Sequence, residues 1–246
     1  MKKVLSLLAV AGLIAAASSA FGATIVGSKH DLSNTGTATG LSGGGSSTQI
    51  CVYCHAPHNA AKSLPLWNRT NPAGSLFKLY SGVNMQNVSF SSGFTADSTS
   101  LFCMSCHDGV TEMSAIHNAG TLGGGAAVNA TSPTAADAYR TAGANVFAPG
   151  AIGQIKNTAL GGYNLTKTHP INFAVSLTDG QSDLFTGSGT KMGNNNQFPL
   201  FKLEGDRATA RSLECGSCHA VHDSLNSPFL RTTMDRSALC LGCHNK

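Results

Sequence analysis

Apolar residues are concentrated at the start of the chain. The stretch VLSLLAVAGLIAAA follows Lys2 and Lys3 and precedes the small residues SSAFGA. This order is typical of a secretory signal peptide, which we predict over residues 1–22; the alternative is an uncleaved N-terminal anchor. No later stretch reaches the ~18 apolar residues of a transmembrane helix, so we expect the mature chain to have no membrane span.

Beyond this leader, the pattern of apolar and polar positions predicts little regular structure. No segment alternates for long enough to predict a sheet of extended strands. The stretch DRSALCLGCH, at 235–244, predicts a short helix that begins near Asp235. KMGNNNQF, at 191–198, predicts a turn. The predicted fold class is therefore mostly coil with short α-helices and little or no β-sheet.

Glycine and alanine content divides the chain into segments. Residues 119–160 are rich in both and predict a connector between an N-terminal segment, 23–118, and a C-terminal segment, 161–246. Within the connector, TAADAYRTA is compatible with a short helix. A second tract, NTGTATGLSGGGSSTQ at 34–49, predicts a flexible tether.

The eight cysteines form four pairs with two residues between the members, and a histidine directly follows each pair. These motifs are Cys51/Cys54/His55, Cys103/Cys106/His107, Cys215/Cys218/His219 and Cys240/Cys243/His244. Disulfides are usual in an exported chain, zinc sites combine cysteine with histidine, and a CxxC pair can be redox-active. None of these three sites requires a histidine after every pair.

A CxxCH sequence is the attachment site of a c-type haem. The two thiols form thioether bonds with the haem, and the adjacent histidine binds the iron as its proximal ligand. The four motifs therefore predict four covalently attached c-type haems. We expect these haems to organise the fold in place of a conventional hydrophobic core, with Trp67 and the phenylalanines packed on their edges.

The histidines outside the motifs follow an internal repeat. CVYCHAPH at 51–58 matches CGSCHAVH at 215–222, and each copy is preceded by one more histidine and followed by a plain CxxCH. The repeat nominates four second axial ligands, His30, His58, His169 and His222, and leaves out His117. Whether His117 is a ligand, and which histidine serves which haem, is not decided by the repeat.

The second histidine of each CHAxH segment cannot serve the haem of its own motif. Ligands on opposite faces of one iron have Cα atoms about 12–13 Å apart, whereas three extended residues span at most about 10–11 Å. His58 and His222 are therefore expected to bind the irons of other haems that lie close by.

Several stretches together resemble one family: SKHDLS, CVYCHAPHN, PLWNRT, LFCMSCHDG, THPINF, CHAVHD and LCLGCHNK. They are similar to the doubled-CxxCH multihaem cytochromes of metal-reducing bacteria, and especially to the OmcE-type tetrahaem cytochromes that polymerise into extracellular nanowires. The resemblance implies the same four distal histidines, a row of stacked haems, and subunits joined end to end.

The charge of the chain does not favour nucleic acid or a membrane surface as a partner. The net charge is +4, and it falls to +2 without Lys2 and Lys3. Four ferric haems would bring it to about −2. We expect redox partner cytochromes, or neighbouring subunits in a homopolymer, as partners. The expected location is the periplasm, the outer surface or the extracellular space.

Three functions fit a tetrahaem chain. They are electron transfer as an extracellular filament subunit, electron transfer as a monomeric periplasmic shuttle, and catalysis as a multihaem reductase. A reductase needs an iron with an open position, whereas the histidines here suffice for every iron, so we predict electron transfer without enzymatic activity. Because a flexible tract follows His30, we further hypothesise that His30 binds a haem of a neighbouring subunit.

Overall fold

The structure is a computed structural model. The residues that it describes are 24–33, 48–63, 65–80, 92–108, 116–118, 156–157, 162–166, 168–175, 190–201 and 212–245. The predicted leader, most of the predicted connector and the TAADAYRTA segment lie outside these residues. The division of the chain into segments therefore stays a prediction.

Helices in the described residues are short. The α-helices are α1 (Ser100–His107), α2 (Cys215–Cys218) and α3 (Ala238–Leu241), and the 3-10 helices span Ile50–Tyr53, Gly74–Leu76, Asn194–Asn196 and Asp235–Ser237. The last of these leads into α3, so the helix predicted near Asp235 is present, with a change of direction at Arg236 and Ser237, which both have positive φ. Among the described helices, none has the length and apolar character that crossing a membrane requires.

The described strands contain two or three residues each. They are β1 (Phe77–Lys78), β2 (Lys156–Asn157), β3 (Gly162–Asn164), β4 (Phe173–Ala174), β5 (Lys191–Met192), β6 (Phe198–Pro199) and β7 (Ser212–Leu213). β3 pairs in parallel with β1 and antiparallel with β2, while β4 pairs antiparallel with β7, and β5 with β6. These small sheets, joined by irregular chain, confirm the predicted fold class.

Apolar packing is divided among three small clusters, each beside a CxxCH motif. The first contains Val52, Tyr53 and Ile116, with Cys54 against it. The second packs Leu101 and Met104 of α1 on β1 and its neighbours. The third carries Cys243 and contains Phe173, Val175, Met192, Phe198, Leu200 and Leu213. Four phenylalanines, Phe77, Phe94, Phe173 and Phe198, lie in these clusters; their packing on haem edges stays a prediction.

The predicted turn at 191–198 is present as the connection of the β5–β6 hairpin. Gly193 has φ of 90°, and a Cβ at this position would lie 2.6 Å from the carbonyl oxygen of Gly242. Asn194 N donates to that same oxygen at 2.6 Å. Only glycine fits this close approach, and the contact holds the hairpin against the chain that follows α3.

Buried polar side chains join the N-terminal and C-terminal parts of the described fold. The side chain of Asn172, which follows the His169 segment, accepts from Thr95 N and Oγ1 at 3.3 and 3.0 Å and donates to Gly93 O at 3.2 Å. Its backbone N donates to Leu213 O at 2.6 Å. The hydrogen-bonding capacity of the Asn172 side chain is thus satisfied by Gly93 and Thr95, and these bonds hold two stretches together that are distant in sequence.

Candidate haem-binding sites

Each CxxCH motif forms one helical turn. His55 N donates to Cys51 O at 2.8 Å, His219 N to Cys215 O at 3.0 Å and His244 N to Cys240 O at 2.8 Å, and Cys103–His107 lies within α1. Residues three and four apart share one face of a helical turn. The spacing therefore brings both cysteines and the histidine of a motif to the same side, as attachment to one planar group requires.

The stretch PLWNRT braces the first motif. Asn68 N donates to Cys54 O at 2.9 Å, and Ala56 N donates to Leu66 O at 2.9 Å. The Asn68 side chain is fully buried and donates to Val52 O at 2.7 Å, while Asn118 N donates to its Oδ1 at 2.8 Å. These bonds hold the first motif in an antiparallel ladder against 65–70.

A second brace, SPFLRT at 227–232, repeats this arrangement on the third motif. Arg231 N donates to Cys218 O at 2.9 Å, and Ala220 N donates to Phe229 O at 2.7 Å. Phe229 has φ of 61°, close to the 62° of Leu66 in the first brace. The sequence analysis missed this pair of braces, because Arg-Thr follows Pro65 after three residues and Pro228 after two, so the residues that align in the structure do not match in type.

The braces also orient the motif imidazoles. His55 Nδ1 lies 2.7 Å from Pro65 O, and His219 Nδ1 lies 3.0 Å from Pro228 O. A carbonyl oxygen only accepts, so Nδ1 carries a proton and Nε2 is the nitrogen that would bind a metal. His169 makes the same kind of contact, with Nδ1 2.8 Å from Pro170 O. A backbone partner on one ring nitrogen is the usual support for a histidine that binds metal through the other.

Three motif histidines face three of the histidines nominated by the repeat. Ring centroids are 6.0 Å apart for His30 and His107, 6.0 Å for His55 and His222, and 6.2 Å for His169 and His244. An iron bound on both sides at about 2 Å, with a ring nitrogen about 1.2 Å from each centroid, would separate the centroids by about 6.4 Å. The observed separations thus fit one metal ion between each pair.

The SKHDLS segment fixes the position of His30 by a local turn. Buried Asp31 accepts from Gly27 N at 2.8 Å and from Ser33 Oγ at 2.6 Å, which closes a turn around the histidine. The His30 ring also stacks on Phe229 at 4.4 Å. Its partner ring, His107, belongs to the same chain, so an intrachain pair is available to His30, and ligation of a neighbouring subunit's haem stays a prediction.

Burial keeps the His30–His107 pair neutral. Burial lowers the pKa of His30, and it lowers the pKa of His107 to about 4, with smaller contributions from His30 and His219. Only a neutral imidazole has a lone pair for a metal ion. The electrostatics of this pair therefore suit ligation.

The three remaining histidines are His58, His117 and His219. His58 is exposed, and its carbonyl accepts from Asn118 Nδ2 at 2.9 Å. His117 is exposed, and its N donates to Asn68 O at 2.7 Å, so its backbone belongs to the first brace. His219 lies close enough to His30 and His107 to influence the pKa of each.

The cysteines of successive motifs lie near one another. Burial and then the nearby Cys106 raise the pKa of Cys54 to about 12. A hydrogen bond with Cys215, followed by burial, raises the pKa of Cys103. Burial and then Cys218 and Cys240 raise the pKa of Cys243 to about 12. Each motif thus contacts or electrostatically influences the next one along the chain.

Trp67 connects the first and second motifs. Its ring centroid lies 5.7 Å from that of His55 and 5.1 Å from that of Phe102, and Nε1 donates to Ser105 Oγ at 3.2 Å. The neighbouring Arg69 is fully buried, and its Nε donates to Ser105 O at 3.4 Å. These contacts fix the second motif relative to the first brace.

The residues present fit covalent haem better than zinc or disulfides. All eight cysteines are free thiols in the structure. Within the described residues, no three side chains of His, Cys, Asp or Glu converge on one point, whereas a structural zinc site uses four ligands. Pairs of imidazoles beside paired thiols are the donors that a c-type haem uses.

Comparison with known proteins points the same way. Residues 208–246, which contain the third and fourth motifs, match the family model described as the doubled CXXCH motif. A comparison with curated proteins found no match. The doubled motif supports a multihaem c-type cytochrome with covalently bound haem, of a kind that generally transfers electrons.

Proposed function

We propose that this chain is a tetrahaem cytochrome that carries electrons along closely spaced bis-histidine haems in extracellular electron transfer, as a filament subunit. The eight motif cysteines would hold four haems by thioether bonds, and His55, His107, His219 and His244 would be their proximal ligands. Each bound haem would take up and release one electron at its iron.

The observation that carries this proposal is the set of three facing imidazole pairs. Each pair joins a motif histidine to one that the repeat nominates, with centroids 6.0–6.2 Å apart. An iron with two imidazoles has no open position for a substrate, so the pairs favour electron transfer over a reductase.

Symmetry supports a fourth pair, His58 with His219. His222, three residues after His219, faces His55. If His58, three residues after His55, binds opposite His219, the two CHAxH segments exchange their second histidines. This exchange agrees with the length of the chain, because three residues are too short for His58 or His222 to bind the iron of its own motif's haem.

The order of the motifs supports a continuous path. Cys54 lies near Cys106, and Cys103 forms a hydrogen bond with Cys215. Cys218 lies near Cys240 and Cys243. The thioether positions of successive haems would therefore be neighbours, so an electron would pass between haems of adjacent motifs without crossing a wide stretch of protein.

Export and assembly rest on the sequence. The predicted leader at 1–22 would direct the chain out of the cytoplasm, and the c-type haems would be attached outside it. The resemblance to filament-forming cytochromes favours polymerisation with neighbouring subunits, and redox partner cytochromes would deliver the electrons. A monomeric periplasmic shuttle is the alternative.

Haem content and ligation test the first part of the proposal. The mass of the secreted protein should equal the mature chain plus four haems, and the ferric protein should show only low-spin haem in its electron paramagnetic resonance spectrum. Fewer haems, or a stoichiometric high-spin haem that binds carbon monoxide when reduced, would contradict tetrahaem bis-histidine electron transfer.

Imaging tests the second part. Electron micrographs of protein secreted by the native host should show filaments whose subunit density follows this chain. Monodisperse monomers at all concentrations in size-exclusion chromatography, with no filaments in the secreted fraction, would favour the periplasmic shuttle instead.

A further inference from the structure

Glu214 is a buried carboxylate between two haem attachment motifs. It is 1% exposed and directly precedes Cys215, the first cysteine of the third motif. One carboxylate oxygen, Oε2, accepts from Ser98 Oγ at 2.6 Å, from Ser100 N at 3.3 Å and from Ser100 Oγ. Ser98 and Ser100 lie at the beginning of α1, which carries the second motif.

The same carboxylate serves the beginning of α2. Its side chain accepts from the backbone of Ser217 in a capping box, and Ser217 Oγ accepts from Glu214 N at 3.0 Å. Ser212 Oγ donates to Oε1. In return, Ser100 Oγ accepts from Cys215 N at 3.0 Å. A single side chain therefore ties the beginnings of two helices that lie more than a hundred residues apart in sequence.

The partners of Glu214 among the described residues are neutral. They are serine hydroxyls and backbone amides, all of which donate, as an ionised carboxylate requires. Hydrogen bonds of this kind stabilise the charge but do not cancel it. Because the carboxylate lies in a water-poor region, the field of its charge is weakly screened.

The field of this charge reaches the sulfur atoms of both motifs. A hydrogen bond with Cys215 and burial raise the pKa of Cys103, and the charge of Glu214 raises it further. At Cys215, whose pKa is lowered chiefly by the hydrogen bond from Cys103, the same charge acts in the raising direction. These sulfurs would be the thioether atoms of the second and third haems.

We propose that Glu214 lowers the reduction potentials of the haems at the second and third motifs relative to those at the first and fourth; this inference rests on the proposed function. Reduction adds one electron to an iron, from Fe(III) to Fe(II), and a nearby negative charge disfavours that electron. Glu214 would act on both haems through the field of its charge, without being a ligand of either iron.

The test is a potentiometric titration of the Glu214→Gln holoprotein, with dithionite as reductant and ferricyanide as oxidant. Glutamine keeps the size of the side chain and removes the charge, while the positive ends of both helices remain. We expect two of the four one-electron steps to move to higher potential and the other two to move less. Unchanged potentials, or an equal shift of all four, would overturn the proposal.

Two further variants distinguish the effect of the Glu214 charge from the effect of its hydrogen bonds on the structure. Ser98→Ala removes a hydrogen bond and keeps the charge, so it should raise no step; an upward shift equal to that of Glu214→Gln would show a structural effect and overturn the proposal. Asp235→Asn removes an exposed charge near the fourth motif, and solvent screening should leave the two Glu214-sensitive steps unchanged.

If the Glu214→Gln variant does not fold and take up haem, a positive charge introduced beside Glu214 tests the same proposal. Ser212 is only partly buried, so a lysine there can reach Glu214 from the solvent side. Ser212→Lys should raise the same two steps with Glu214 in place, and unaltered steps would contradict the proposal. Wild-type protein with four low-spin haems but no response in these variants would leave the proposed function intact and remove this inference alone.

Discussion

At the scale of single residues, the imidazole pairs include three of the four distal histidines that the repeat nominates, and His58 is the fourth. The CHAxH spacing by itself predicts that His58 and His222 serve other haems, because three residues are too short to span one iron. It does not predict the partner of each, because partners such as His55 and His222 are brought together by packing between halves of the chain. Pairing is therefore a property of the fold.

Replacement of His222 tests this pairing. His222→Ala should leave four covalent haems, because thioether attachment does not use this residue. It should convert one of the four to a high-spin haem that binds one equivalent of carbon monoxide when reduced, measured by difference spectroscopy. Four low-spin haems in this variant would contradict the His55–His222 pair.

His117 supplies the matched control. It is a histidine with an exposed side chain, and its hydrogen bond to Asn68 comes from the backbone. His117→Ala should therefore keep all four haems low-spin and bind no carbon monoxide. One equivalent of carbon monoxide would identify His117 as a ligand and would require a different set of pairs.

At the scale of elements, the braces show what pattern analysis finds and what it misses. The haem motifs are visible because thioether chemistry fixes both their spacing and their residue types. The braces are harder to predict from sequence because most of their contacts use backbone groups, such as Pro65 O and Pro228 O, which any residue type could supply. Trp67 contacts Phe102 and Ser105 of α1, a role that its sequence position does not predict, and its packing on a haem edge stays a prediction.

The short strands were missed for a related physical reason. A pairing of two residues, such as Phe173–Ala174 with Ser212–Leu213, buries too little surface to require a long alternating pattern. The adjacent residues Asn172 and Glu214 tie this pair to Thr95 and Ser98, which are far away in sequence. The sequence therefore predicts a coil-rich fold without predicting where its strands lie.

The first brace should depend on Asn68. Asn68→Ala removes a fully buried amide and leaves Val52 O and Asn118 N without that partner. A buried polar group left unsatisfied costs about 1–3 kcal/mol. We expect the free energy of unfolding to fall by about 2 kcal/mol or more, measured by guanidinium titration followed by far-ultraviolet circular dichroism and Soret absorbance.

Asn226, which directly precedes the second brace, is the matched control. Its amide donates one bond, to Leu230 O at 3.2 Å, from a partly buried site. Because water can replace a partly exposed partner, Asn226→Ala should lower the free energy of unfolding by less than about 1 kcal/mol. Equal losses in the two variants would mean that the Asn68 side chain is not what stabilises the first brace.

At the scale of the whole molecule, the contacts between motifs bring the haem attachment motifs of both halves together. The second motif approaches the third through Cys103 and Cys215, and Glu214 spans the beginnings of both helices. The His30 segment adds a second connection, since Ser224 Oγ donates to Thr24 O at 3.0 Å and the His30 ring stacks on Phe229. The N-terminal segment thus docks on the C-terminal haem region of its own chain.

This docking leads to a prediction that separates the two ligation schemes for His30. If His30 binds the haem of His107 within one chain, isolated wild-type subunits already have four six-coordinate irons and should bind no carbon monoxide when reduced. His30→Ala should bind one equivalent per subunit, and Lys29→Ala, a change at the exposed neighbouring position, should bind none. Carbon monoxide difference spectra at several protein concentrations, with light scattering to report subunit number, measure these outcomes. If wild-type subunits instead bind one equivalent when dilute and lose it as they associate, His30 completes the site of a neighbour, and assembly and ligation are one event.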